Sequence, residues 1–305
     1  ATQAEWISKR VERHLLGNHL ISNAKALVFA GLFFDGSSAK RWFSEGVEIL
    51  LQEIPEQILS DGAHFERSTM YHSLVYEDML DLFNCLSLFD STPCDLSGLV
   101  EALRRRMPGM AKWLNHMCHP DGEISFFNDA AQGVAPSPGS LADYAKRLGF
   151  RDPPDPSGVS CHFPDSGYVR LSGESAVALL DVAPLGPDYL PGHGHADTMS
   201  FELSVHGQRV IVNGGTSTYE PGERRLRERG TCAHSTVEIE GKDSSEVWRS
   251  FRVARRARPV ITNCELGSSS KTVSCHHDGY ARLPGKPIHE RIWKLDDKEL
   301  KVSDQ

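Results

Sequence analysis

The sequence predicts an α+β protein in two parts: paired helices of α/α toroid or solenoid type, then an antiparallel β-sandwich. Three observations carry this. Apolar residues recur at helical spacing through the first half, and from about residue 160 they fall in short runs punctuated by Gly and Pro. Between the two lies Arg151-Asp-Pro-Pro-Asp-Pro-Ser-Gly158, which has the composition of a linker. The boundary is placed near residue 155, giving a helical part over 1–155 and a β part over 156–305.

The elements follow in order. Gly17-Asn18-His19-Leu20 opens one helix. Val47, Leu50, Leu51 and Ile54 form a stripe that Pro55 should stop. Ser68 is a good N-cap for the next helix, which carries Leu74, Val75, Met79, Leu82, Phe83 and Leu86. Leu99, Leu103 and Met107 form a further stripe. Short polar connections, Asp35-Gly-Ser-Ser38 and Ser60-Asp-Gly62, separate them. Hairpins of similar length suggest a toroid or solenoid rather than a compact four-helix bundle. Strands are expected at 167–171, 176–180, 201–205, 236–239 and 260–262. Phe201, Leu203 and Val205 alternate with polar residues, as in a half-buried strand. His206-Gly207 fits a two-residue turn, and Val210 to Val212 makes the return strand.

Composition narrows the function. The 305 residues suffice for two ordinary domains. A formal charge of −8 argues against nucleic acid, which wants a basic face. No apolar run is long enough to span a bilayer. No signal segment opens the chain, and both ends read as cut from something longer. The seven cysteines are scattered, with no Cys-x-x-Cys pair. That disfavours a disulfide framework or a thiolate zinc site and leans toward a reducing, cytoplasmic compartment.

The densest chemistry lies in His193-Gly194-His195-Ala196-Asp197, at the entrance of the predicted hairpin, where a rigid element can hold a site. It can be read as the His-x-His-x-Asp of a binuclear metallohydrolase, although residue 198 is Thr where that pattern continues with His. A third histidine, His234, opens the next expected strand and could join a zinc site. In the helical half, Arg67 and Tyr71 stand at a helix start. His276-His277 reads as part of a solvated turn.

Together, Gly17-Asn-His-Leu, Asp61-Gly-x-x-Phe-Glu-Arg-Ser-x-Met-Tyr-His72, Phe127-x-Asp129, His193-Gly-His-Ala-Asp197, Gly214-Gly-Thr-Ser-x-Tyr219 and His234-Ser-Thr-Val resemble the heparinase II/III family of polysaccharide lyases. The resemblance runs from about residue 10 to about 260. It implies an incomplete α/α toroid followed by antiparallel β layers, and β-elimination on a uronic-acid-containing acidic polysaccharide. That reaction needs a neutralised uronate carboxylate, a base for the C5 proton and an acid for the departing O4. By position, Asn18 or His19 matches the carboxylate neutraliser or base, Tyr71 the catalytic tyrosine and His193 the histidine from the β part. Arg67 is expected to bind substrate and to lower the Tyr71 pKa.

The family's structural zinc maps onto His195, His234 and position 213. Asn213 stands there in place of the usual Asp, and its amide oxygen is a weaker, uncharged ligand. Asp197 could compensate, as a ligand or as acceptor from a ligating His. The resemblance favours a periplasmic or extracellular protein, against the cysteines. Two other readings are a non-catalytic glycan-binding protein of the same fold and the metallohydrolase above. Which glycan is cut and the oligomeric state stay open.

Overall fold

A computed structural model describes residues 1–89 and 95–305. Cys94 lies outside the described residues; the other six cysteines are free. The helical part comprises α1 (Thr2–Ser8), α2 (Gly17–Phe33), α3 (Ser37–Gln57), α4 (Thr69–Ser87), α5 (Ser97–His116) and α6 (Pro138–Arg147). The expected stripes pack into one core around Leu50, Ile54, Val75, Met79, Leu82, Leu103 and Met107. Pro55 does not stop α3, which runs two residues further to Gln57. The stripe is also narrower than expected, since Leu51 is 43% exposed.

The β part holds two antiparallel sheets. The first runs in order β1 (Cys161–Phe163), β2 (Tyr168–Ser172), β3 (Ala176–Asp181), β4 (Phe201–Val205) and β5 (Gln208–Ile211). The second comprises β8 (Pro259–Leu266), β9 (Lys271–His277), β10 (His289–Leu295) and β11 (Leu300–Asp304), in order β11-β10-β9-β8. Between the sheets, Val169, Leu171, Ala178, Leu180 and Phe201 meet Val273, Cys275, Trp293 and Leu295. That contact is a β-sandwich. The intervening chain carries α7 (Glu223–Arg229) and a small hairpin of β6 (Val247–Trp248) and β7 (Arg252–Val253).

Several sequence expectations change. Residues 236–239 form no strand; Ile239 makes only an isolated bridge to Lys242. His277 is not solvated: it is fully buried in β9 beside His289. Strand β4 is not half-buried: Phe201 and Leu203 face the sandwich core, yet Glu202 and Ser204 on the opposite face are more buried than Leu203 and Val205. The first sheet is covered on both faces. Its second face packs on the helical part, where Trp113, Met117 and Phe127 meet Phe163, Tyr168, Val177 and Leu179. His119 there bonds both Ser204 Oγ and Glu202 Oε2, each at 2.7 Å, and Glu202 Oε1 accepts from the Phe126 amide. Buried polar groups need such partners, so two polar residues can sit where alternation would place a solvated face. Among the described residues no helix is long and apolar enough to cross a membrane.

Candidate active site

Four chain segments converge where helices meet the sandwich. Ser68 caps α4 by accepting from the Tyr71 amide at 3.2 Å, which places Tyr71 in the first turn. The loop between β3 and β4 carries His193. Arg229 pins this loop: its guanidinium donates to the Gly194 carbonyl at 2.8 Å, and its own carbonyl accepts from the Ala196 amide. A Cβ on Gly194 would lie 2.2 Å from Leu185 Cδ2, so the loop can pack this closely only with glycine there. The Tyr71 and His193 rings then stack with centroids 4.0 Å apart.

One carboxylate organises the site. Asp129 Oδ2 lies 2.8 Å from His193 Nδ1, and Oδ1 lies 2.8 Å from His195 Nε2. Arg225 grips both oxygens, Nη1 to Oδ1 and Nη2 to Oδ2, the latter at 2.7 Å. Burial opposes ionisation of Asp129, but hydrogen bonds from the two histidines and the Arg225 guanidinium outweigh it. Its carboxyl therefore lies far below the ordinary range. A carboxylate facing Nδ1 fixes a proton on that nitrogen of His193, leaving Nε2 as an acceptor. Glu66 Oε2 stands 3.7 Å from that Nε2, and Glu66 Oε1 accepts from the Asn18 backbone N–H at 3.4 Å. Burial raises the Glu66 pKa.

Tyr71 hydroxyl meets the Tyr219 hydroxyl at 2.9 Å. Its pKa is pushed up, first by burial and then by the Tyr219 hydrogen bond and the charges of Asp129 and Glu66. This corrects the expected role of Arg67. Arg67 is 9% exposed, and its guanidinium donates to the carbonyls of Ser166 and Asp165. Its own carbonyl accepts from Tyr168 and Asn128. It is a strut beneath the site and gives Tyr71 no lowering charge. His72, beside Tyr71, points into the core and holds the Met110 carbonyl at 3.0 Å.

Asn18 is half-buried at the start of α2, joined to His193 through Glu66. Gly17 makes this approach possible: its φ is +57°, and a Cβ would fall 2.1 Å from Glu66 Oε1. His19, one residue on, is exposed and its ring is turned to Glu12 Oε2 at 3.3 Å. Tyr71 and His193 are thus brought together, and the backbone of Asn18 is tied to them through Glu66; His19 and Arg67 are not. Sequence reasoning assigned no role to Asp129, Glu66, Tyr219 or Arg225. The first three stood inside quoted motifs without a chemical reason to single them out. Arg225 had no signal beyond a charged helix.

The histidine corner is adjacent. The rings of His195 and His234 have centroids 5.3 Å apart. His195 Nδ1 and His234 Nε2 are buried with no hydrogen-bond partner. Asn213 Oδ1 is already engaged by His234 Nδ1 at 3.0 Å. Asp197 does not compensate: no group of three His, Cys, Asp or Glu side chains among the described residues could hold an ion. A structural zinc takes four ligands, so two free imidazoles do not complete the set. His193, His195 and Asp197 fail equally as a metallohydrolase triad, because both histidines turn to Asp129 instead.

The chain is similar in sequence and in fold to known proteins. The sequence matches the family description "Heparinase II/III N-terminus" over residues 1–146 and "Heparinase II/III-like, C-terminal" over 155–305. A heparin-sulfate lyase of Pedobacter heparinus is 25% identical over 276 residues, covering 79% of this chain and 38% of that protein. A heparin-sulfate lyase of Bacteroides thetaiotaomicron is 28% identical over 265 residues, covering 73% of this chain and 36% of that protein. The crystal structure of heparinase III superposes with a TM-score of 0.78 at 21% identity, over 99% of this chain and 49% of the other. That of heparan sulfate lyase from Pedobacter heparinus gives 0.70 at 20%, over 99% and 47%. The chain spans under half the length of each. With both family regions matched in order and together covering almost the whole sequence, the chain belongs to the heparinase II/III family.

Proposed function

We propose that this site performs β-elimination on a uronic-acid-containing glycan of the heparan-sulfate class. The observation that carries it is the stack of Tyr71 on His193, with His193 Nδ1 committed to Asp129. His193 Nε2 is then the base that takes the C5 proton. Tyr71, whose raised pKa keeps it protonated, is the acid that returns a proton to the leaving O4. Asn18, at the positive end of α2, neutralises the uronate carboxylate and so stabilises the enolate-like intermediate. Each proton-transfer group is worth about 10²–10⁴-fold. The names of the relatives support the substrate class. The helical part, in this reading, is an arc of an α/α toroid whose rim faces the sandwich.

The proposal takes the His195–His234 corner as held by hydrogen bonds to Asp129 and Asn213, without zinc. Chelation should then leave both the thermal midpoint and turnover unchanged; a fall of several degrees on chelator treatment would return a structural metal to the site. The activity test is absorbance of the conjugated unsaturated uronate, recorded with heparan sulfate, chondroitin, alginate and hyaluronan in turn. Tyr71→Phe removes only the hydroxyl, so it should abolish the rise while leaving glycan affinity within about twofold. Unchanged turnover in that variant removes Tyr71 from the mechanism.

A further inference from the structure

The hairpin β6–β7 is held against the site by the same two buried arginines that order the histidines. Arg225 donates through Nε to the Ser250 carbonyl at 3.1 Å while its Nη atoms hold Asp129. Arg229 donates to the carbonyls of Arg249 at 3.2 Å and Ser250 at 3.1 Å while it pins Gly194. The tip therefore shares its anchors with the loop that carries His193. What it presents to solvent is unusual for an anchored tip. Phe251 is 45% exposed and Trp248 is 47% exposed. Phe251 packs edge-on to His193, with centroids 6.0 Å apart, and is tilted by 32° against Tyr219 at 5.6 Å. Arg249, in the left-handed region at φ 49°, lays its guanidinium over Trp248 at 5.6 Å.

Charge points the same way. Residues 247–258 contain five arginines and no acidic residue, in a chain of net charge −8. Arg256 and Arg258 pair with Asp188, and Arg255 reaches Glu246 at 3.7 Å. Arg249 and Arg252 are exposed, and no carboxylate among the described residues lies within ion-pairing distance of either. Trp248 pairs with Arg252 across the strands, so aromatic and cationic surface share the tip. An aromatic face takes the C–H side of a sugar ring, and a free guanidinium takes a carboxylate or sulfate bidentately.

We propose that this hairpin is a glycan subsite adjoining the reacting uronate. Phe251 and Tyr219 form the wall for the sugar at His193. Trp248, Arg249 and Arg252 bind the neighbouring sugar through its ring face and its anionic group. This rests on the reading of Tyr71 and His193 as the reaction centre, and it adds residues that set substrate choice rather than rate.

The test compares the parent protein with Arg249→Ala/Arg252→Ala and with Trp248→Ala. Turnover is followed by the unsaturated-product absorbance, and affinity by calorimetric titration in the Tyr71→Phe background. Heparan sulfate and hyaluronan serve as probes, the first sulfated and the second carrying carboxylates alone. The expected result is a rise in KM and Kd of about tenfold or more for the double variant, with kcat within about twofold. The salt dependence of affinity should weaken as well. Loss confined to heparan sulfate assigns the pair to sulfate; loss on both glycans assigns it to carboxylate. Since backbone carbonyls hold the hairpin, these exposed substitutions should leave urea unfolding unchanged. Unaltered KM and Kd on both glycans overturn the subsite even if the protein is a lyase. Lost affinity in a protein that yields no unsaturated product keeps the subsite and overturns the reaction.

Discussion

Asp129 is the residue on which the site turns, and its substitution separates alignment from chemistry. Asp129→Asn keeps the shape but removes the charge that Arg225 and both histidines share. An amide has one acceptor oxygen where Asp129 has two, so it can hold the native tautomer of only one of the two histidines. Turnover should fall by about 10²–10⁴-fold. Stability should also fall, by about 3–5 kcal/mol, because Arg225 is left buried without its counter-charge. Urea unfolding and product absorbance read the two effects separately. At this scale Tyr71 and His193 were singled out through the family resemblance, whose motifs are local: a Tyr at a capped helix start and a His-Gly-His ahead of a strand. Asp129 was not. Its role comes from groups 64 to 96 residues away in sequence, and no local pattern records that.

Element boundaries show the same division. The start of α2 and the cap of α4 follow from a few adjacent residues, and both stand where the sequence placed them. The second sheet was mostly missed. Its strands β9 and β10 carry buried His277, His289 and Arg291, which break the apolar signature. They are held instead by Asp304, which accepts from His289 at 2.7 Å and from Arg291 at 2.6 Å. Glu202 and Ser204 in β4 misled in the opposite direction, being polar yet buried under His119. Gly17 gives an element-scale prediction. Gly17→Ala forces a Cβ toward Glu66 and strains a backbone at φ +57°. It should cost about 1–3 kcal/mol. By displacing the first turn of α2, it should also raise KM through Asn18. A variant with native urea stability and native KM would show that the turn relaxes freely.

For the whole molecule, acid should act first through histidines rather than carboxylates. His72 and His277 are buried neutral, each with its pKa pushed down to about 3 by burial. In the unfolded chain both titrate near 6.5. The unfolded state therefore binds more protons below that value, and stability present above about pH 6.5 declines as pH falls. Each histidine contributes a slope of about 1.4 kcal/mol per pH unit. Asp129, with its depressed pKa, adds a loss only below about pH 4. Urea midpoints measured from about pH 7.5 down to 5 should drop steadily; a flat profile would mean that these imidazoles gain protons in place. The two-part architecture was legible because periodicity and a Pro-rich segment mark it. The docking face was not, since Trp113, Phe127, Tyr168 and Leu179 each read as ordinary core in their own segments.

The carboxylate that aligns the histidines comes from the helical part, and everything it aligns comes from the sandwich part. In the proposed reaction, docking and activation are consequently one event. Two polypeptides made by dividing the chain within residues 151–158 would each be silent, and catalysis would return only on complementation. Product formation would then report directly on the association of the halves, with Asp129 as the contact that switches the signal on.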